Sequence, residues 1–247
     1  MRSPKLLPGD QQALALKEAL LRINNHVTGH RLLRGALEIG GARVRQLPDT
    51  NELHRIKDVV DDIAAIALSQ SVVSDRFTDT GILTACDTET VNALGPVARA
   101  SGIATDVRLD HPNLDLSAHI HQFDKPTGDV LARFRIRVSE VADSVSIIDA
   151  LANDVSTSQS NSAAPTFNAT DAPEGEHSSG SGMVEGWRGT ITHRIELDPA
   201  GRLSRVKIVD PSFFNWPALP QALAGVIVPD FPLVNKSFNL SYAGNDL

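Results

Sequence analysis

The sequence predicts an α+β fold: a helical bundle over residues 1–151, a disordered insertion over 152–183, and a small β-hairpin with an extended C-terminal tail over 184–247. Three observations carry this expectation. Apolar residues return at three- and four-residue steps across residues 10–150, the period of helices that pack along one side. The run from Ala152 to Gly182 is dominated by Ser, Asn, Thr, Ala and Gly, with Phe167 as its one aromatic, too little apolar area to offset the entropy of ordering. Beyond it, alternating segments flank Asp198-Pro199-Ala200-Gly201, a hairpin signal with a Gly-bearing loop. Pro211, Pro217, Pro220, Pro229 and Pro232 then exclude long helices and central strands.

The first helix is expected over residues 10–37, with Leu14, Leu16, Ala19, Leu20, Ile23 and Val27 on one face and Asp10 as N-cap after Pro8-Gly9. Arg31 and Arg34, three apart near its end, would share a face able to hold a carboxylate or a neighbouring subunit, or form an exposed basic helix end. A second helix spans residues 50–70, capped by Asp49 or Thr50, with Leu53, Ile56, Val60, Ile63 and Ala67 on its stripe and Asp61-Asp62 on a solvated face. The single cysteine, Cys86, ends a short apolar run and reads as a small buried hydrophobe. Gly95-Pro96 and Ser101-Gly102 bracket a one-turn helix, after which Arg99, Asp106 and Arg108 could build a buried ion network that fixes packing. The long helix after Gly128-Asp129 carries Phe134, Val138, Val141, Val145 and Ile148 on its packing stripe, and Arg133 and Arg137 on another face. His119 and His121 would fall on one face of a strand but lack a third metal ligand at a recognisable spacing.

Composition excludes several function classes. Among 247 residues, 41% are hydrophobic and 21% charged, the range of soluble globular chains. A net charge of -7 disfavours a nucleic-acid partner. No apolar run reaches the ~18 residues of a membrane span, and the first residues, MRSPKLLPGDQQ, lack a signal-peptide core. One cysteine permits no internal disulfide, which suits a reducing cytoplasm, and cannot build a Cys-rich zinc or iron–sulfur site. No phosphate-loop, dinucleotide or nucleophile-elbow motif is present.

Several segments together resemble one family. They are Gly29-x-Arg31-x-x-Arg34-Gly35 before Gly40-Gly41, Gly95-Pro96-x-x-Arg99-Ala-Ser-Gly102 followed by Asp106 and Arg108, and Gly128-Asp129-x-x-x-Arg133-x-x-x-Arg137-x-x-Glu140. Glu185-x-x-Arg188-Gly189, Arg205 to Ser212 and Asn215-Trp-Pro-Ala-Leu219 complete the set. The chain resembles the latter part of the family that joins the 49-kDa subunit of respiratory complex I, the NADH-quinone oxidoreductase, to the large subunits of energy-converting nickel–iron hydrogenases, on the formate hydrogenlyase-like side. Hydrogenase members end on a Cys-x-x-Cys pair that ligates nickel. Ser241 and Gly244 stand at those positions here, so the resemblance implies no metal held by this chain.

The same resemblance implies Arg188 and Glu185 as the candidate catalytic pair, since the family's arginine lies beside the bimetallic site. Without metal, Arg188 would instead pair with Glu185 or another acid. Gly186-Trp187 replaces the family's usual Ala-Pro. Arg31, Arg34, Arg99, Asp106, Arg108, Arg133, Arg137 and Glu140 fall to subunit contact or structure. The implied function is that of a subunit of a membrane-attached complex I-like or energy-converting hydrogenase-related oxidoreductase, passing electrons from an iron–sulfur partner toward quinone or protons. NAD(H) and quinone would enter at the level of the complex, and the iron–sulfur cluster in a partner subunit. Expected partners are a small iron–sulfur subunit, membrane-embedded proton-pump-like subunits and a separate polypeptide carrying the family's N-terminal half. The chain would sit on the cytoplasmic face of the membrane through them. A fragment, a split subunit or a truncated relic are the open readings of its length, with exposed apolar stripes on its helices. A non-catalytic assembly or scaffold subunit is the alternative function.

Overall fold

The computed structural model describes residues 8–38, 41–124, 126–157 and 178–246, and the fold is mixed helix and sheet. The order is α1 (Pro8–Thr28), β1 (Leu37–Glu38), β2 (Gly41–Ala42), α2 (Thr50–Ser69), α3 (Ser71–Phe77), α4 (Ala85–Thr90), α5 (Gly95–Ala100), α6 (Val107–Asp110) and α7 (Val130–Thr157). Then come β3 (Ser178–Gly186), β4 (Gly189–Leu197), β5 (Leu203–Val209), α8 (Ser212–Asn215), α9 (Ala218–Ala222) and α10 (Phe231–Phe238). The chain divides into two compact units: the segment up to Ala65 with α7 from Ser144 onward, and the segment from Ile66 to Asp143 with β3 onward.

In the first unit, Ile23 of α1, Leu53 and Ile56 of α2 and Val145 of α7 form a small core, flanked by Leu16, Ala19 and Val27. The helix α1 starts at Pro8 rather than at an Asp10 cap, consistent with proline's fit to a first helical turn. It also stops at Thr28, short of the expected residue 37. Gly29 takes a left-handed φ of 83°, and the Thr28 hydroxyl donates to Asn24 O, ending the ladder. Arg31 and Arg34 therefore lie on turns, not on a shared helix face; both are exposed, and Arg31 forks onto Glu18 at 2.6 and 3.1 Å. Asp49 caps α2 by accepting from Asn51 N. Leu14 and Leu20 on α1 remain 53% and 43% exposed, an exposed apolar stripe as expected.

In the second unit the core gathers Leu83, Val97 and Val130 against Ala218, Leu219, Ala222, Val234 and Phe238. The helix α7 enters it through its Gly128-Asp129 start. Asp129 Oδ1 accepts from Ala132 N, an N-cap bond, while its Oδ2 accepts from Asp79 N. Gly128 has φ 72°, and a Cβ there would sit 2.1 Å from Leu83 O, so only glycine fits. The buried residues of α7 are Val130, Ala132, Arg133, Ile136, Asp143, Val145 and Ala152, which keep Val145 of the expected stripe but not the rest: Phe134 is half-buried and Ile148 exposed. Arg133 is in the core because every donor group finds an oxygen. Its guanidinium donates to Gly128 O, Gly81 O and Ser237 Oγ at 2.6, 2.8 and 2.9 Å and lies over the Phe238 ring.

The sheet is antiparallel in the order β3-β4-β5. The loop at Asp198 forms as expected, with Asp198 Oδ1 accepting from Ala200 N and Arg202 N, and a bulge precedes it at Glu196/Leu197. The third strand, β3, was not anticipated: Ser178 to Gly186 pairs in register from Ser178↔Leu197 to Gly186↔Gly189. Its Ser-Gly composition has weak strand preference, and the ladder to β4 supplies the order. Of the expected disordered insertion, residues 158–177 lie outside the described residues, while 152–157 continue α7 and 178–183 open β3. The tail is not extended. It folds into short helices, and Pro232 sits in the first turn of α10, where its missing N–H costs nothing. Cys86 is exposed on α4, not buried: the apolar face of that segment is taken by Leu83 and Thr88.

Replacing Phe238, 1% exposed in the core, by alanine is expected to cost about 3–5 kcal/mol in urea unfolding. The Val228→Ala change at an 86% exposed position is expected to stay within about 0.5 kcal/mol.

Candidate functional site

The site rests on a close crossing of two backbones. A Cβ on Gly95 would lie 2.4 Å from Arg188 O, and one on Gly189 2.9 Å from Gly95 N; both glycines have positive φ, 64° and 128°. Asn215, fully buried, clamps the crossing. Its Oδ1 accepts from Leu94 N at 2.7 Å, and its Nδ2 donates to Leu94 O and Arg188 O at 3.2 and 3.3 Å. Gly95-Pro96, Arg188-Gly189 and Asn215-Trp216-Pro217 thus form one construction, in which each segment is held by the next.

This crossing brings Glu185, at the end of β3, to Arg99 of α5. The Arg99 Nη1 donates to Glu185 Oε1 at 2.9 Å, its Nη2 lies 2.6 Å from Glu140 Oε1, and Nη1 lies 3.4 Å from Asp106 Oδ2. Arg108 grips Asp106 bidentately at 2.9 and 2.6 Å, and Asp106 also caps α6 by accepting from Arg108 N. The sequence-based network of Arg99, Asp106 and Arg108 is therefore present, enlarged by Glu140 and Glu185. All three carboxylates are buried, with side-chain exposures of 1%, 12% and 4%.

Burial pushes the Glu140 and Glu185 carboxyls above their ordinary range, although Arg99 pulls both down. For Asp106 burial pulls the same way but loses to the Arg108 hydrogen bonds and the Arg99 charge, so its carboxyl titrates low. Burial works against the Arg99 cation, yet Glu140 and Glu185 outweigh it and hold Arg99 charged.

Arg188 lies apart from this network. Its Nε donates to Asn239 O at 2.5 Å, and among the described residues no carboxylate stands within ion-pair distance of it. The expectation that Arg188 pairs with Glu185 or another acid is thus overturned: Glu185 is taken by Arg99. Arg137 donates to Arg133 O and Phe238 O and faces the Trp187 ring at 6.0 Å. Burial, together with the Arg188 and Arg99 charges, pushes it down to about 10 despite Glu140. Arg133, buried beside Arg137, is pushed down to about 9.

At the tail, Ser241 N donates to Ser212 Oγ at 2.9 Å, and Ser241 Oγ accepts from Gly244 N at 2.9 Å. Gly244 is packed so that a Cβ would lie 2.6 Å from Asp210 Cγ. A hydroxyl already engaged by backbone and a residue without a side chain offer a soft metal no ligand, and the described residues contain no group of three or more His, Cys, Asp or Glu placed to hold a metal. His119 ends a 3-10 turn (Ser117–His119) and no strand forms there; His121 instead pairs through Nδ1 with buried Asp143. Asn215, Asp143 and Thr190, which donates to Glu185 Oε2, were given no role by sequence reasoning. Asn215 lies within a quoted motif, but only the fold shows which backbone groups it serves.

Removing the central cation takes a shared counter-charge from Glu140, Glu185 and Asp106, of which Asp106 keeps Arg108. Arg99→Leu is expected to lower stability by about 3–5 kcal/mol, whereas Arg22→Leu, which breaks only an exposed pair with Glu18, is expected to cost under about 0.5 kcal/mol. Glu140 and Glu185 hold their protons more tightly folded than unfolded. Their contribution is full below the unfolded value of 4.5 and falls as pH rises through the raised folded values. Asp106 contributes in the opposite sense, above its unfolded value of 3.8, and loses its contribution as pH falls. Urea unfolding from about pH 4.5 to neutrality is therefore expected to show wild type losing stability relative to Glu140→Gln as pH rises.

The chain is similar to known proteins over most of its length. The chain is 27% identical over 245 residues to a subunit of the F(420)H(2) dehydrogenase of Methanosarcina mazei, covering 90% of this chain and 62% of that protein. It is 26% identical over 254 residues to formate hydrogenlyase subunit 5 of Escherichia coli, covering 96% and 42%. The chain therefore spans less than two thirds of these relatives. A solved chain of the membrane-bound sulfane sulfur reductase, an archaeal respiratory membrane complex, shares the fold with a TM-score of 0.82 at 22% identity, over 96% of this chain and 66% of that one. The family described as respiratory-chain NADH dehydrogenase, 49 Kd subunit, matches residues 11–172. More than half of the chain lies within that match, and the chain belongs to this family.

Proposed function

We propose that the chain is a subunit of a membrane-attached, complex I-like or energy-converting hydrogenase-related oxidoreductase, acting where electrons pass from an iron–sulfur partner toward quinone or protons. The observation that carries the reading is the clamped crossing at Gly95, Gly189 and Asn215, because it joins three of the family-like motifs into one built site. Relatives named as subunits of F(420)H(2) dehydrogenase, formate hydrogenlyase and NADH-quinone oxidoreductase support it.

In this reading Glu185 and Arg188 form the functional turn. Arg188 holds its guanidinium at the tail through Asn239, where a cation stands free of any carboxylate among the described residues, while Glu185 is fixed by Arg99 and Thr190. In this reading positions 241 and 244 supply no nickel ligand, since the Ser241 hydroxyl is held by Gly244 N and Gly244 has no side chain. NAD(H) or quinone would be met by the assembly, and Arg31, Arg34 and the exposed faces of α1 would serve subunit contact. The partners in this reading are a small iron–sulfur subunit, membrane-embedded subunits and a polypeptide carrying the remaining part of the family fold. Among the described residues no helix is long and apolar enough to cross a membrane. In this reading the chain sits on the cytoplasmic face through its partners.

The absence of sulfur at positions 241 and 244 also favours a second reading, a non-catalytic assembly subunit that keeps the docking surfaces. Affinity purification of the tagged chain from native membranes, with mass spectrometry and metal analysis, separates the two. The redox reading expects an iron–sulfur subunit and multi-spanning membrane proteins at fixed stoichiometry, with iron present and nickel well below one per chain. Recovery of the chain alone overturns both readings. Recovery with unassembled subunits but without an electron-transfer defect on deletion leaves the assembly role.

A further inference from the structure

Arg137 Nε is the one buried side-chain nitrogen or oxygen among the described residues without a hydrogen-bond partner. The terminal nitrogens of the same guanidinium each place a hydrogen, Nη1 on Arg133 O and Nη2 on Phe238 O at 3.2 and 3.0 Å, and donors are left to spare. Glu140, further along α7, favours the Arg137 cation but is itself held by Arg99. Burial and the charges of Arg188 and Arg99 act against that cation. A largely buried guanidinium with unplaced donors is costly unless an acceptor of opposite charge stands near it.

The same arginine lines a cavity of about 210 Å³. Val130, Phe134 and Arg137 reach it from α7, and Leu233, Lys236 and Ser237 from α10, at the three- and four-residue steps that share a helix face. Phe77, which ends α3, lines it too and meets the Phe134 ring edge to face at 5.6 Å between centroids. None of the lining residues is acidic, and two of them, Arg137 and Lys236, are cations. The Ser237 hydroxyl is already engaged, donating to Val234 O and accepting from Arg133 Nε. Apolar walls, two cations and no acid suit an apolar body that carries one negative charge. Since an apolar cavity of about 150 Å³ takes up a benzene ring, this one has room for a ring or a short alkyl chain with a carboxylate attached.

We propose that this cavity binds a small monocarboxylate, with its ring or alkyl chain among Phe77, Phe134 and Leu233 and its carboxylate against Arg137 and Lys236. A carboxylate fits better than phosphate because its planar pair of oxygens matches the guanidinium fork. Phosphate would ask for further donors, and the Ser237 hydroxyl is taken. The bound anion sets a counter-charge beside Arg137 where burial and the neighbouring cations act against it. The site is built from this chain alone and does not depend on the redox reading or its partners.

The test is a titration of the full 15N-labelled chain with 3-phenylpropionate, read by NMR at the backbone amides. Saturable shifts are expected at Phe77, Phe134 and Leu233, with the matched alcohol 3-phenylpropanol binding at least about tenfold more weakly. Lys236→Met, at an exposed position, is expected to weaken the acid and leave the alcohol unchanged. No saturable shift at these residues up to about 20 mM acid would overturn the proposal. So would an alcohol that binds as tightly as the acid, or inorganic phosphate that displaces the acid at equal concentration. The same titration on the assembly purified from membranes is expected to give the same shifts. Their loss there would overturn the proposal in favour of a partner chain docked on the cavity. The wild-type comparison of acid, alcohol and phosphate decides the matter by itself if the variant fails to fold.

Discussion

The guanidinium of Arg99 is the interaction on which the second unit depends. It is the common counter-charge for acids carried by the cap of α6, by α7 and by β3, three elements that share no local sequence. Buried charges of this kind add little net stability over a well-packed apolar alternative, but each is costly to leave unpaired. The network therefore acts as a registry device. A fold that misplaced β3 by one residue would turn Glu185 to the other face of the sheet and strand Arg99 beside two acids instead of three. The same reasoning explains why Arg133 is tolerated in the core, where oxygens of Gly128, Gly81 and Ser237 surround its donors.

Around that device the molecule uses backbone in place of side chains. The crossing of Gly95 and Gly189 is closer than any Cβ permits, and Asn215 supplies the hydrogen bonds that neither backbone could otherwise complete so near its neighbour. This is how the turn bearing Arg188 is held while Trp187 stays exposed. Positioning is delegated to a carboxamide 27 residues away, which leaves the guanidinium to reach Asn239.

Much of this was legible in the sequence. The α+β class, the extent of α2, the one-turn helix between Gly95 and Ser101, the hairpin at Asp198 and the ion trio of Arg99, Asp106 and Arg108 follow from periodicity, turn residues and charge spacing. The remainder was hidden for physical reasons. Periodicity placed Phe134 on the packing stripe of α7, because a pattern of apolar residues cannot register an arginine whose donors are all satisfied. Strand β3 is made of residues with weak strand preference, and only its partner β4 reveals it. The prolines of the tail excluded long helices correctly, but short helices that begin on a proline escape that rule. Pairing of Arg188 with Glu185 looked natural at three residues' separation, yet a two-residue hairpin loop sends the two side chains to different neighbours.

The second unit is also discontinuous along the chain, and this has a consequence for how the protein is made. Leu83, Val97 and Val130 bury themselves against Val234 and Phe238, more than a hundred residues downstream of Val130. During synthesis the earlier helices emerge without the surface that covers them and must wait until Val234 and Phe238 have followed. The loops that close this core are long, which slows its formation far more than it weakens the finished fold. A ribosome stalled before residue 231 would thus display an unfinished core to the chaperones of the cell.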